Sequence, residues 1–264
     1  MLESYGSWIR LGLSVGGILV FLFFELIVPY RPSTVSKVKR WAINLGMTAM
    51  NSILLTVIFS GAIISVAAYA EAEKAGLLNM ADMPQWFRVM ATLAFMDLML
   101  YIWHLLNHEM PLFWRFHRVH HSDLNMDVST ASRFHIGELM ISAVIKIGLV
   151  YFIGADLLGL IIFESAVVLA AQFHHSSLTV PGWFEKVFWV LFVPPSMHRI
   201  HHSMIINERD TNYGTIFSLW DRILGTMRSD VDQDNIKIGI GAYPLENKLN
   251  FHHLVIMPFT AKVR

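Results

Sequence analysis

Long apolar stretches separated by short polar connections fill the first two thirds of the chain. A membrane-crossing helix needs roughly 20 mostly apolar residues, and residues 9–29, 43–70 and 87–108 each meet that need. The first stretch ends at Val28-Pro29-Tyr30-Arg31-Pro32. Glu3 precedes it and no small-residue cleavage site follows, so it reads as a retained anchor rather than a removed leader. The second is framed by Trp41 and Tyr69, placed as interfacial aromatics are. Residues 138–173 are apolar almost throughout but break at Gly154-Ala155-Asp156, which predicts a hairpin of two shorter helices. Residues 183–193 are apolar yet too short to span, and Pro194-Pro195 stops them; they are expected to lie in the interface or pack on the core.

The connections carry an asymmetric charge. Arg31, Lys37, Lys39 and Arg40 follow the first stretch with no acid among them, whereas Glu71, Glu73, Lys74 and Asp82 follow the second. Positive connections stay in the cytoplasm, so the chain is expected to return there near His108 and again, after the hairpin, at His174 and His175. Composition agrees with a membrane protein. The 264 residues are 55% hydrophobic and 15% charged, with a mean hydropathy of +0.49. A net charge of zero gives no reason to expect a nucleic-acid partner. Cysteine is absent, which excludes disulfides and thiolate metal sites.

The polar residues that interrupt this pattern are mostly histidines. There are thirteen, none before position 104, and eight fall into His104-x-x-x-His108, His117-x-x-His120-His121 and His198-x-x-His201-His202. Residues three and four apart share a helix face, so each cluster is expected to aim its rings at one point. Imidazole suits iron, zinc, copper and nickel. Eight histidines exceed the need of one closed site of about four ligands, which favours two ions with about four nitrogens each. Asp97, Tyr101, His104 and His108 form one stripe at i, i+4, i+7 and i+11. A packing stripe across the bundle explains the same spacing. On the metal reading, Asp97 accepts an imidazole N–H and fixes the ring's orientation. His175 or its neighbour His174 is a further candidate, as is His135, with an interfacial hydrogen-bonded residue as the alternative for each. His252 and His253 read as part of an interfacial face with Phe251 and Leu254. Arg115, Arg118, Arg133 and Arg199 flank the clusters and would serve an acidic donor, a lipid phosphate or membrane anchoring equally. Asn212-Tyr213-Gly214 and Trp220-Asp221-Arg222 look like a lid, although a structural turn and an interfacial helix explain them nearly as well.

Several segments together resemble the fatty acid hydroxylase/sterol desaturase superfamily of membrane di-iron oxygenases. They are Asp97 to Glu109, Trp114 to Ser122, His175-Ser-Ser, Pro195 to Ser203, Asn212-Tyr213-Gly214 and Trp220-Asp221-Arg222, spanning roughly residues 90–228. The His108-Glu109 pair and Pro-Ser-x-His-Arg-x-His-His are similar to the alkylglycerol monooxygenase branch and to many bacterial members. The resemblance implies an all-α, polytopic membrane helical bundle with a cytosolic histidine-rich di-metal cap. It implies that His104, His108, His117, His120, His121, His198, His201 and His202 ligate metal, with His175 as a further ligand and His135 as a looser counterpart. Ser177 stands where the family often has Asn or Glu, a departure beside His175. Glu109 matches an acidic residue of the ether-cleaving branch, which would place it with Asp97 among the catalytic side chains.

The implied cofactors are two iron ions, with zinc able to take their place in purified protein. The implied reaction is O2-dependent hydroxylation, desaturation or ether cleavage of a lipid drawn from the bilayer. The expected location is the bacterial inner membrane, with the histidines on its cytoplasmic face. No Gly-rich dinucleotide fingerprint or cytochrome module is present, so electrons are expected from a separate cytochrome, ferredoxin or reductase. The chain divides into N-terminal membrane helices (1–86), a catalytic region (87–228) and a C-terminal interfacial extension (229–264). Two other classes compete. A metal carrier would place its ligands along a path near mid-membrane, and a haem carrier would leave the histidine trios unexplained.

Overall fold

A computed structural model describes residues 2–59, 61–261 and 263 as helices joined by turns, with no β-strand among the described residues. Six helices carry the apolar pattern: α1 (Leu2–Ile27), α2 (Lys37–Phe59), α3 (Ala62–Ala72), α4 (Gln85–Glu109) and, after α5 (Pro111–His121), the hairpin of α6 (Ile136–Ile153) and α7 (Leu157–His175). Of these, α2, α4, α6 and α7 are long and apolar enough to cross a membrane. Short helices follow: α8 (Gly182–Phe188), α9 (Pro195–His201), α10 (Ile206–Arg209), α11 (Leu219–Leu224) and α12 (Phe251–Ile256).

The stretch expected as one helix over 43–70 is two. Gly61 stands before α3 with φ 71°, in the left-handed region, where an α-helical ladder does not continue and glycine is least strained. The hairpin turns at Gly154, also left-handed at φ 72°. A Cβ there would come within 2.6 Å of Asn79 Nδ2 and 2.7 Å of the Ala75 carbonyl. Asp156 opens α7 by accepting from Gly159 N at 2.7 Å, and Gln85 Nε2 donates to its other oxygen at 2.6 Å. The 73–84 connection therefore closes on the hairpin tip, at one end of the bundle.

The opposite end is held by buried polar contacts. Arg40, at the start of α2, pairs with Asp123 at 2.5 Å and with Asp127 at 2.8 Å. Asn44 Nδ2 donates to Asp123 at 3.1 Å, and Arg133 Nη1 donates to Asn44 Oδ1 at 2.9 Å. Glu25, near the end of α1, accepts from Val128 N at 2.8 Å and Ser177 N at 2.9 Å. The connection rich in Lys and Arg thus shares an end with the segments that follow α5 and α7. The acidic connection lies at the other.

Two apolar cores accompany these contacts. One, within the bundle, includes Ala67, Met96, Val150, Leu160, Phe163 and Ile216. The second joins Met47 of α2 and Val119 of α5 to Leu249, Leu254 and Met257. The C-terminal segment is therefore packed onto the cap: Leu254 is fully buried, and Arg118 donates to the backbone carbonyls of Ala261 (2.9 Å) and Met257. Apart from that pairing, α8 turns Trp183 and Val187 outward and packs Phe188 on Phe173.

Candidate metal centre

Each histidine trio begins its helix at a proline. Pro111 opens α5 and Pro195 opens α9, where proline's missing N–H is no loss and its fixed φ is already helical. The helix start sets the phase of every ring that follows. At about 100° per residue, positions i and i+4 point within about 40° of each other, whereas i+3 points some 100° away from i+4. The rings of one trio therefore do not converge on a single point as expected; they divide. His104, His108, His117, His121 and His201 form one group, and His120, His175, His198 and His202 form a second, with the ligand atoms of each group all within 4.8 Å of one another. The helices divide in opposite senses. α5 gives its i, i+4 pair to the five-histidine group and His120 to the other, while α9 gives its pair, His198 and His202, to the four-histidine group and His201 to the five. The groups adjoin: the rings of His121 and His202 stack at 4.4 Å between centroids.

The second nitrogen of five rings is committed. His104 Nδ1 donates to the Tyr213 carbonyl at 2.8 Å, His201 Nδ1 to Thr211 O at 2.8 Å and His175 Nδ1 to Ala171 O at 2.7 Å. His117 Nδ1 meets Glu138 Oε1 at 2.9 Å, and His108 Nδ1 meets Asp210 Oδ1 at 3.2 Å. An oxygen acceptor at Nδ1 puts the proton there and leaves Nε2 a bare lone pair. Those lone pairs point inward. The Nε2 atoms of His104, His108 and His201 are buried without a partner. His175 Nε2 faces the Nε2 atoms of His198, His120 and His202 at 2.9, 3.0 and 3.2 Å, and its own proton is already on Nδ1.

Lone pairs gathered this closely out of water need a cation among them. Two nitrogens about 2.1 Å from one ion stand roughly 3.0–3.4 Å apart at right-angled to tetrahedral angles, and the observed separations fall at that range. Protonation is a poor substitute. Burial, reinforced by neighbouring imidazoles, holds His120, His121, His198, His201 and His202 well below their ordinary pKa of 6.5. The residues present fit two ions held by neutral nitrogen donors, five on one side and four on the other.

The other expected site residues are placed differently. His135 joins neither group: its Nδ1 accepts from Gly137 N at 3.0 Å as the cap of α6, and its Nε2 meets the Val255 carbonyl at 3.0 Å. His174 lies against His198, ring centroids 3.9 Å apart, and is also outside both groups. His252 and His253 sit on α12, away from the centre. Glu109 is exposed at the end of α4 and belongs to neither group. Asp97 bonds no imidazole. Its carboxylate accepts from Ile216 N at 3.2 Å, Phe217 N at 3.1 Å and Trp220 Nε1 at 2.9 Å. The reason is geometric: His104 lies two turns further along α4, and the 210–226 segment comes between.

That segment is the lid, and the whole α4 stripe faces it. Tyr101 Oη bonds Thr226 Oγ1 at 2.7 Å, and Tyr213 sets its ring 5.2–5.7 Å from those of His104, His108 and His201. Asp221 holds the turn by accepting from Tyr213 N and Gly214 N, both at 2.8 Å. Burial pushes its carboxyl up to about 6. Gly214 is needed for close approach, since a Cβ there would stand 2.7 Å from Phe217 O and 2.8 Å from Asp221 Oδ2. The acceptors Glu138, Asp210, Thr211 and Tyr213 were not foreseen. Glu138 alone carried a signal, as a carboxylate in the first turn of a membrane helix.

Four helices long and apolar enough to cross a membrane, with a doubled, nitrogen-only histidine cluster at one end of the bundle, define a membrane-type helical protein with a candidate metal centre. The chain belongs to the fatty acid hydroxylase family, whose model matches residues 89–226, more than half of its length. Among characterised relatives it is similar to the ornithine lipid hydroxylase of Rhizobium tropici, 27% identical over 241 residues covering 84% of this chain and 68% of that protein. It is also similar to human alkylglycerol monooxygenase, 26% identical over 58% of this chain and 34% of the relative. Human cholesterol 25-hydroxylase is 24% identical over 53% of this chain and 51% of the relative. No solved structure matches the chain.

Proposed function

We propose that the nine grouped histidines hold two iron ions and that the protein uses O2 to hydroxylate a membrane lipid, with electrons from a separate protein donor. The single observation that carries this reading is the division of nine histidines into two adjoining groups, one of five and one of four, with the ligand atoms of each group within 4.8 Å of one another. Neutral imidazole sets accept zinc as readily as iron. Iron is favoured because the family and its relatives are hydroxylases and monooxygenases. Breaking an unactivated C–H bond requires a redox-active centre, which iron supplies when bound and zinc does not.

The chain's own residues do the rest. Glu138, Asp210 and the carbonyls of Ala171, Thr211 and Tyr213 fix five ring orientations. The lid, pinned by Asp97 and Asp221, covers the five-histidine group with the Tyr213 ring and excludes water from it. Burial keeps that phenol protonated. The relatives are named for an ornithine lipid, an alkylglycerol and cholesterol, which supports an amino-acid lipid, an ether lipid or a sterol as the substrate class. The Lys- and Arg-rich connection at the histidine end favours a cytoplasmic orientation for the centre, which a cytosolic donor would reach.

The test is His120→Ala and His201→Ala, one from each group, in cells whose lipids are compared by mass spectrometry. Both variants should insert at wild-type levels, bind less iron and lose the hydroxylated product. Full product formation by either variant counts against the ligand assignment. Full zinc occupancy with no O2-dependent product in the wild type counts against the oxidative reading.

A further inference from the structure

A cavity of about 740 Å³ opens at the histidine end of the bundle, between the end of α1, the start of α2 and residues 236–244. Its volume suits a small ligand or a headgroup. Three of its lining residues, Ser177, Arg199 and Met204, lie within two positions of His175, His198 and His202, so it flanks the four-histidine group. None of the grouped histidines lines it.

Its wall is amphiphilic. Leu26, Pro29, Met126 and Ile236 are apolar, whereas Arg31, Lys37, Arg40, Arg199 and Lys237 are cationic and only Glu25 and Asp127 are acidic. Both acids are taken: Lys37 stands 3.2 Å from Glu25, and Arg40 pairs with Asp127 at 2.8 Å. Arg31, Arg199 and Lys237 take part in no described ion pair. Arg199 is 4% exposed, with its guanidinium 3.7 Å from the Tyr30 ring centroid and Nη1 donating to Gln233 Oε1 at 2.8 Å. Arg31 lies 5.0 Å from the same ring and donates to the carbonyls of Ile236 and Gln233, both at 2.7 Å. Neutral acceptors and an aromatic face orient Arg31 and Arg199, Lys237 is exposed at the rim, and Glu185 and Asp234 act on the buried Arg199 without pairing with it. The buried cation thus has no direct ion-pair partner among the described residues and favours an anion beside it. Arg118 and Arg133, two other buried arginines near the clusters, are bonded to backbone carbonyls and polar side chains of the cap.

We propose that this cavity binds the anionic headgroup, phosphate or carboxylate, of a membrane lipid. It sits where the apolar run of α1 ends and α2, a helix long and apolar enough to cross a membrane, begins; a spanning α2 puts it near the bilayer surface, where its apolar wall would receive the first carbons below the charge. A concave site of this size admits a headgroup and not the face of a donor protein. The inference does not depend on the redox reading, because occupancy is measured without turnover.

The experiment is native mass spectrometry of the full-length protein titrated with phosphatidylglycerol or phosphatidylcholine from mixed micelles. The wild type should prefer the anionic lipid. Combined Arg31→Gln and Lys237→Gln should reduce that preference about tenfold or more, since each interfacial cation contributes to anionic-lipid attraction. Lys186→Gln, an exposed cation on α8 outside the cavity, should retain it. Equal affinity for the two lipids, an equal loss in Lys186→Gln, or inorganic phosphate binding as tightly as phosphatidylglycerol would each overturn the assignment.

Discussion

Glu138 tests the division of the histidines, because it touches one group alone. Its Oε1 accepts from His117 Nδ1 at 2.9 Å, with both side chains at most 5% exposed. His117 belongs to the five-histidine group. Replacing Glu138 with Ala removes a buried, charge-assisted bond worth about 1.5–3 kcal/mol. At about 1.4 kcal/mol per decade that is roughly a 10–100-fold loss of metal affinity, the range usual for partners of ligating histidines. Glu138→Gln keeps an acceptor and loses the charge, so it should fall between, at roughly 3–10-fold. The assay is chelator titration of the reconstituted, detergent-solubilised protein with metal counted per chain. In Glu138→Ala one ion should leave at 10–100-fold lower chelator, while the other, held by His120, His175, His198 and His202, leaves at the wild-type concentration. Release of both ions together, or no change in either, would refute the two-group assignment.

Two further outcomes follow from the same geometry. Asp97→Ala removes the two carboxylate oxygens that accept three N–H bonds from the lid; the expected cost is about 2–4 kcal/mol, read as rapid tryptic cleavage between Arg209 and Arg228 and a fall in turnover, and wild-type protease resistance would contradict it. Acidification should destabilise the protein. His120, His121, His198, His201 and His202 have folded pKa values depressed below 6.5, so below that pH the unfolded chain binds more protons than the folded one. Stability is thus complete above about pH 6.5 and lost as pH falls, by about 1.4 kcal/mol per pH unit for each such histidine, and protons also compete with the metal. A thermal midpoint that held or rose from pH 7 to pH 5 would exclude this.

Much of the architecture was legible without coordinates. Spanning helices announce themselves by length and apolarity, because lipid leaves the backbone no partner but itself; α4, α6 and α7 fall where the pattern put them. The break at Gly61 was not legible, since an isolated glycine inside an apolar run is compatible with a continuous helix. Burial of Leu254 was likewise hidden. An amphipathic stretch looks the same whether its apolar face meets lipid or, as here, Met47 and Val119.

The sequence by itself determined that the histidines are many, helically spaced and gathered at one end of a membrane bundle, since i+3 and i+4 spacing and the charge of the connections are local properties. Only the tertiary structure decided which ring joins which group. Adjacent rings such as His120 and His121 diverge by about 100° along any helix, so their targets depend on how α4, α5, α7 and α9 cross. The same crossing brings His175 in beside His198, leaves His135 capping α6, and turns Asp97 from the rings to the lid. These outcomes rest on contacts between residues tens to more than a hundred positions apart, which no local spacing encodes.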